Sequence, residues 1–189
     1  LGPLQDNGGP TFTMALGAGS VAIGTTAGTG TDQRGINRTT NDIGAYSFGI
    51  QVTTTAASGT GSLDAAITLA NNPGNDDINF NLTGSSPYTI TLAAALPTIL
   101  NVSTAGTLTI NGLGASALTI NGNQGNFSIF TITTGGNLTI SGVTVSGAQT
   151  TGAGGAFKVD GGTLSIFDSI ISGNTARSGG GIYSIYGNV

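Results

Sequence analysis

The chain contains no cysteine, no histidine and no tryptophan, and its acidic residues are all aspartate. Without cysteine there are no disulfides, thiolate nucleophiles or cysteine-ligated zinc sites. Without histidine and glutamate, acid–base chemistry is left to a few aspartates. Charge of either sign is scarce: 6% of the 189 residues are charged, where roughly 25% is usual. The net charge of −4 from four basic and eight acidic residues argues against nucleic acid, which needs clustered Lys and Arg. No basic amphipathic face suits an anionic membrane. No apolar run approaches the roughly 20 residues of a spanning helix, so membrane insertion is not expected. Leu1-Gly2-Pro3 offers neither the basic start nor the apolar stretch of a signal peptide, and no initiator Met is present. The expectation is a processed subunit, or a piece of a longer polypeptide.

What is abundant is glycine, with 34 residues, together with Thr, Ser and Asn, while 38% of the chain is still hydrophobic. That is enough Ile, Leu and Val for a core, unlike a disordered polar tract. The arrangement is repetitive. Gly135-Gly136-Asn137-Leu138-Thr139-Ile140 returns 26 residues later as Gly161-Gly162-Thr163-Leu164-Ser165-Ile166. At the same offset Val145-Ser146-Gly147 meets Ile171-Ser172-Gly173, Gly154-Gly155-Ala156-Phe157 meets Gly180-Gly181-Ile182-Tyr183, and Val159 meets Ile185. Leu108-Thr109-Ile110-Asn111-Gly112 is echoed by Leu118-Thr119-Ile120-Asn121-Gly122.

Within each unit apolar residues alternate with Thr, Ser and Asn, the period of a half-buried strand. Leu138, Ile140, Val143 and Val145 are expected to face inward, around a turn at Ser141-Gly142. One such unit cannot bury its own apolar face, whereas parallel stacking makes a continuous core. An antiparallel sandwich would explain the alternation, but not strand matching strand and glycine matching glycine. The expected fold is all-β: a right-handed parallel β-helix of three-sided coils with strands of roughly 3–5 residues.

One segment departs from this pattern. Ser62 to Asn71 reads as a short helix, with Ser62 as N-cap and Asp64 favouring the positive end of the dipole. Leu63, Ala66, Ile67 and Ala70 form its apolar stripe, and Asn71-Asn72-Pro73-Gly74 ends it. An open β-helix end exposes core and unpaired backbone, so a helix at the first coil is expected as its plug. Asp77–Leu82 and Tyr88–Leu92 are expected to begin the coil.

Gly61-Ser62-Leu63-Asp64-Ala65-Ala66-Ile67, Asn72-Pro73-Gly74, Asp77–Leu82 and Ala95-Leu96-Pro97-Thr98-Ile99 together resemble the opening of bacterial secreted and surface β-helix proteins of the pectate-lyase-like fold. Those proteins usually carry Arg where this chain has Asp64. Leu1–Thr11, Thr31–Gly35 and Asp42–Tyr46 resemble the closing part of the same proteins, near the choice-of-anchor Q and polymorphic outer membrane protein types. Here Gly24 and Ser47 replace carboxylates usual in the family. The resemblance implies an extracellular or cell-surface location. The closing segment comes first, which divides the chain into 1–50, which would complete a neighbouring module or subunit, 51–105 with the capping helix and first coils, and 106–189 with the rungs. Joining Val189 to Leu1 restores the usual order, and this makes the chain its own expected partner, head to tail, as a filament subunit or tandem repeat. Leu1, Leu4, Tyr186 and Val189 are the expected interface residues.

Chemistry-bearing candidates are few. A polysaccharide lyase or hydrolase needs paired carboxylates, or calcium with a basic residue. The rungs supply Asp160, Asp168, Lys158 and Arg177, and the two aspartates are not one coil apart, so no catalytic residue is assigned. Asn75, Asp76 and Asp77 are the calcium candidates, being oxygen-rich in a loop, but their spacing matches no defined calcium loop; a solvated polar turn is the preferred reading, and no cofactor is expected. Asp32, Arg34, Arg38 and Asp42 suit a local ion-pair cluster. Repeated Thr-x-Thr could bind ice or a glycan, or simply suit a strand surface. The expected function is that of a structural rod module in a surface filament, sheath or adhesin. A glycan- or receptor-binding module is the alternative, and an enzyme is not expected.

Overall fold

The computed structural model describes residues 2–5, 11–14, 49–71, 77–100 and 107–189. Alternating apolar residues form short strands that stack in parallel as a β-solenoid of about five turns. The first sheet holds β3 (Ile50–Val52), β4 (Asp77–Phe80), β6 (Leu108–Asn111), β9 (Asn137–Ser141) and β12 (Thr163–Phe167), in that spatial order. The second holds β5 (Tyr88–Thr91), β7 (Leu118–Asn121), β10 (Thr144–Ser146) and β13 (Ile170–Ser172). The third holds β8 (Phe130–Ile132), β11 (Phe157–Asp160) and β14 (Ile182–Ile185), extended by a bridge from Ile99 to Ile132. Ahead of the coil, β1 (Leu4–Gln5) and β2 (Thr13–Met14) form an antiparallel sheet of their own.

Register explains the core. Ile50, Ile78, Ile110, Ile140 and Ile166 pair successively across the first sheet. Ile90, Ile120, Val145 and Ile171 do so across the second, and Phe130, Phe157 and Ile182 across the third. These columns line one continuous apolar interior. Each fully buried member contributes about 1.5–3 kcal/mol. Val143 and Val145 are buried as expected, after a turn at Gly142 with φ +64°.

The helix forms where its cap and stripe place it. In α1 (Leu63–Ala70) the N-cap Ser62 Oγ accepts from the Ala65 N–H at 3.2 Å, and Leu63, Ala66, Ile67 and Ala70 are buried. At the other end the Asn71 amide donates to the Thr98 carbonyl at 2.8 Å and accepts from the Leu100 N–H at 3.2 Å. Pinned at both ends, α1 closes the coil beside β3 and β4, in a turn that among the described residues carries no strand of the second or third sheet.

Three details differ from the sequence reading. The coil begins before the helix, because β3 already pairs with β4. Leu108 and Leu118 start successive sides of one coil: Leu108 stacks on Leu138, and Leu118 on Tyr88. Phe157 pairs with Ile182 and Val159 with Ser184, one residue short of the 26-residue register. The loop after β13 is a residue shorter than its predecessor, and the run Gly179-Gly180-Gly181 hides the slip.

Candidate functional site

The two ends of the solenoid are unequal. At the β3 end the apolar face of α1 seals the core. At the other end the coil of β12, β13 and β14 carries the same column positions without a cover among the described residues. Ile140, Val145 and Phe157 are fully buried, whereas Ile166, Ile171 and Ile182, stacked directly on them, are only partly so. Only Leu164 of that coil keeps full burial.

The backbone is equally open. Asn188 bridges to Thr163, and its carbonyl accepts from the Leu164 N–H at 3.0 Å, covering one corner of β12. β13 and β14 end their sheets. A terminal strand presents a row of backbone donors and acceptors to any further strand. Phe167 and Ile170 are exposed beside this end, as are Tyr186, at 91%, and Val189. Tyr186 is also held at φ +56°, a backbone conformation few aromatic residues adopt.

The expected interface residues thus fall into two groups. Tyr186 and Val189 lie exposed at the open end. Leu4 is exposed on β1, with Phe12 and Met14 exposed on and beside β2. Leu1 lies outside the described residues. Ile166, Ile171 and Ile182 are the members that sequence reasoning missed. Their signal was present, since each occupies a core column position of the repeat.

The chemistry-bearing residues stay apart. Asp160 closes β11 on the third sheet, while Asp168 sits at φ +47° in the turn from β12 to β13. Lys158 pairs with Thr131 and Tyr183 within the third sheet, and Arg177 lies in the loop after β13. Asp77 opens β4, half-buried; Asn75 and Asp76 lie outside the described residues, as do Asp32, Arg34, Arg38 and Asp42. Among the described residues no three His, Cys, Asp or Glu side chains gather as a metal site.

The Thr-x-Thr strands do not stack on one another. Thr89-Ile90-Thr91 lies on the second sheet beneath Thr119-Ile120-Asn121 and Thr144-Val145-Ser146, and the column of threonines ends at Ile170. Thr109 lies on the first sheet and Thr131 on the third. Among the described residues no wide flat threonine face results. Comparison with known proteins gives no matching family, no matching curated relative and no matching solved structure.

Proposed function

We propose that the chain is a structural module of an extracellular or cell-surface rod that grows head to tail, the last coil of one copy receiving the N-terminal segment of the next. The observation that carries this reading is the asymmetry of the ends among the described residues: one is sealed by α1, the other leaves Ile166, Ile171 and Ile182 half-covered beside β13 and β14, which no described strand pairs further. An added coil would bury those side chains and pair those edges, as strand addition does. The exposed Leu4, Phe12 and Met14 near the start of the chain supply apolar surface of the matching kind. Different surfaces meeting in this way form a heterologous contact, which propagates as a filament unless its rotation closes. Low charge and a hydrogen-bonded ladder suit a rod that must withstand salt, and the bacterial surface location is inferred from the sequence resemblance.

Mass photometry and sedimentation velocity across a concentration series test it. The wild-type chain should form end-to-end oligomers. Ile182→Lys, an inward-facing lysine on an edge strand of the kind that blocks pairing, should return it to monomer while leaving its circular dichroism unchanged. A wild-type chain that stays monomeric at every concentration overturns the proposal, as does assembly unaffected by Ile182→Lys.

A further inference from the structure

The outward columns of the solenoid change character on one coil. Along the first sheet Gln51, Asn79, Asn111 and Ser141 pair in succession, and the next member is Phe167. Along the second sheet Thr89, Thr119 and Thr144 are followed by Ile170. Along the third, Thr131 and Lys158 are followed by Tyr183, and Asp160 by Ile185. A strand with one buried face turns the other to water, and polar residues suit that side. These replacements run the other way, and all fall on the coil of β12, β13 and β14. Thr163, Ser165 and Ser172 of that coil stay polar, so the change is confined to one corner and to the face of β14.

The corner is the more open of the two. Phe167 and Ile170 are exposed, whereas Tyr183 and Ile185 are half-buried. Phe167 and Ile170 flank the turn from β12 to β13, and that turn is built. The Ser169 hydroxyl donates to the Phe167 carbonyl at 2.7 Å and accepts from the Val143 N–H at 3.2 Å. The Ile170 N–H donates to the Val143 carbonyl at 2.9 Å. The backbone carrying both side chains is thus tied to the coil beneath, which lowers the ordering cost of docking.

A matching face lies on the hairpin of β1 and β2. Leu4 and Met14 sit directly opposite each other, and Phe12 shares their face by strand alternation. All three are exposed, while Thr13, on the other face, is buried. A two-stranded ribbon gains stability from an apolar surface to pack on. Successive rungs of the coil pair in parallel, whereas β1 and β2 pair antiparallel, so the ribbon does not continue the coil as a pair of rungs. Within one chain the ribbon face and the corner are both exposed, so neither covers the other. Asp168 lies between Phe167 and Ile170, and the turn carries no Lys or Arg, which disfavours an anionic bilayer. The uncharged ribbon face is the better fit. These few side chains bury too little to hold two copies by themselves, so the contact acts together with stacking at the coil end. Resting on the head-to-tail reading above, we propose that the face of Leu4, Phe12 and Met14 in one copy lies against the corner of Phe167 and Ile170 in the copy before it, a clasp outside the junction and not a further coil within it.

The chain has no cysteine, so single cysteines can report the contact. Met14→Cys mixed with Ile170→Cys under mild oxidation should give a disulfide-linked heterodimer. Thr89→Cys, exposed at the far end of the same outward column, should link to Met14→Cys at least about ten-fold less, because a disulfide forms only between neighbouring Cα atoms. Phe167→Ser combined with Ile170→Thr restores the residues found one coil earlier. This double variant should keep its circular dichroism and assemble about ten-fold or more weakly in sedimentation velocity. If the wild type assembles and the folded double variant assembles equally well, the clasp is wrong and the head-to-tail reading stands. The same holds if Met14→Cys links no better to Ile170→Cys than to Thr89→Cys. A wild type that stays monomeric at every concentration removes both, and its co-flotation with phosphatidylcholine vesicles would assign the corner to a membrane.

Discussion

Phe130 and Phe157 stack face to face across two successive coils, ring centroids 5.0 Å apart and 8° from parallel, and both are fully buried. The separation is close to the ~4.8 Å between neighbouring strands, so in-register pairing alone brings the rings together. Offset stacking adds about 0.5–1.5 kcal/mol to their burial. Ile182 continues the column but lies on the last coil, where its burial is partial.

Core energetics should follow that gradient. Phe157→Ala leaves a cavity between two covered coils and should cost about 3–5 kcal/mol. Ile182→Ala, at the uncovered end, should cost less than about 2 kcal/mol, because little of its surface is withdrawn from water. Urea unfolding of both variants at a concentration where the chain is monomeric checks the ordering. Equal costs would mean that the last coil is as well covered as the middle ones.

Much of this was readable from the sequence, for a specific reason. Leu138 and Leu164, Ile140 and Ile166, Val145 and Ile171 pair as the 26-residue offset requires. A repeat with alternating apolar residues leaves few ways to bury both strands. The helix was equally legible, since Ser62 and the stripe from Leu63 to Ala70 are local signals. What was lost lies in the corners. Between Ile78 and Ile110 the step is 32 residues, and from Ile110 to Ile140 it is 30, because the loops between strands absorb any length without disturbing the ladder. At the candidate site the repeat places Ile166, Ile171 and Ile182 in core columns, but the offset alone does not show that their burial is partial.

The glycines at one corner separate strain from space. Gly154 and Gly179 occupy equivalent places before β11 and β14, at φ +70° and +59°, and a Cβ on either would run into a backbone carbonyl, that of Phe157 or Ile182. Gly173 shares the conformation, at φ +62°, but has open space around it. Gly173→Ala should therefore cost only the left-handed penalty, about 1–2 kcal/mol. Gly154→Ala should cost clearly more, because the turn into β11 must open to admit a Cβ against the Phe157 carbonyl. Thermal unfolding of the two variants side by side measures the difference.

Asn174 holds two coils together through its side chain. Its amide donates to the Val145 carbonyl at 2.9 Å, and its oxygen accepts from the Ala148 N–H at 3.0 Å. Asn174→Ala leaves both backbone groups without these partners, at a cost of about 1–3 kcal/mol. Asn174→Asp keeps the acceptor for Ala148 but sets a carboxylate against the Val145 carbonyl, so it should recover little. Hydrogen exchange should show the Ala148 amide losing protection in the alanine variant and keeping part of it in the aspartate variant.

The plug can be loosened without touching the rungs. Ser62 caps α1 and also donates its hydroxyl hydrogen to the Gly59 carbonyl at 2.7 Å, while Asn71 fastens the far end to Thr98 and Leu100. Ser62→Ala should cost about 1 kcal/mol as a lost cap, and Asn71→Ala about as much from two lost hydrogen bonds. Neither side chain touches the middle coils, so the damage should be local opening rather than a uniform loss. Amide exchange should quicken in β3, α1 and β4 and stay near wild type in β9 to β11. With α1 released, the edge of β3 and the cluster of Ile50, Val52 and Ile78 would be bared, and a bare parallel edge invites pairing with other chains. The double variant should therefore aggregate on mild heating, before the rungs unfold. Light scattering recorded together with circular dichroism would show the two events separate in temperature, and their coincidence would mean that α1 unfolds only with the whole coil.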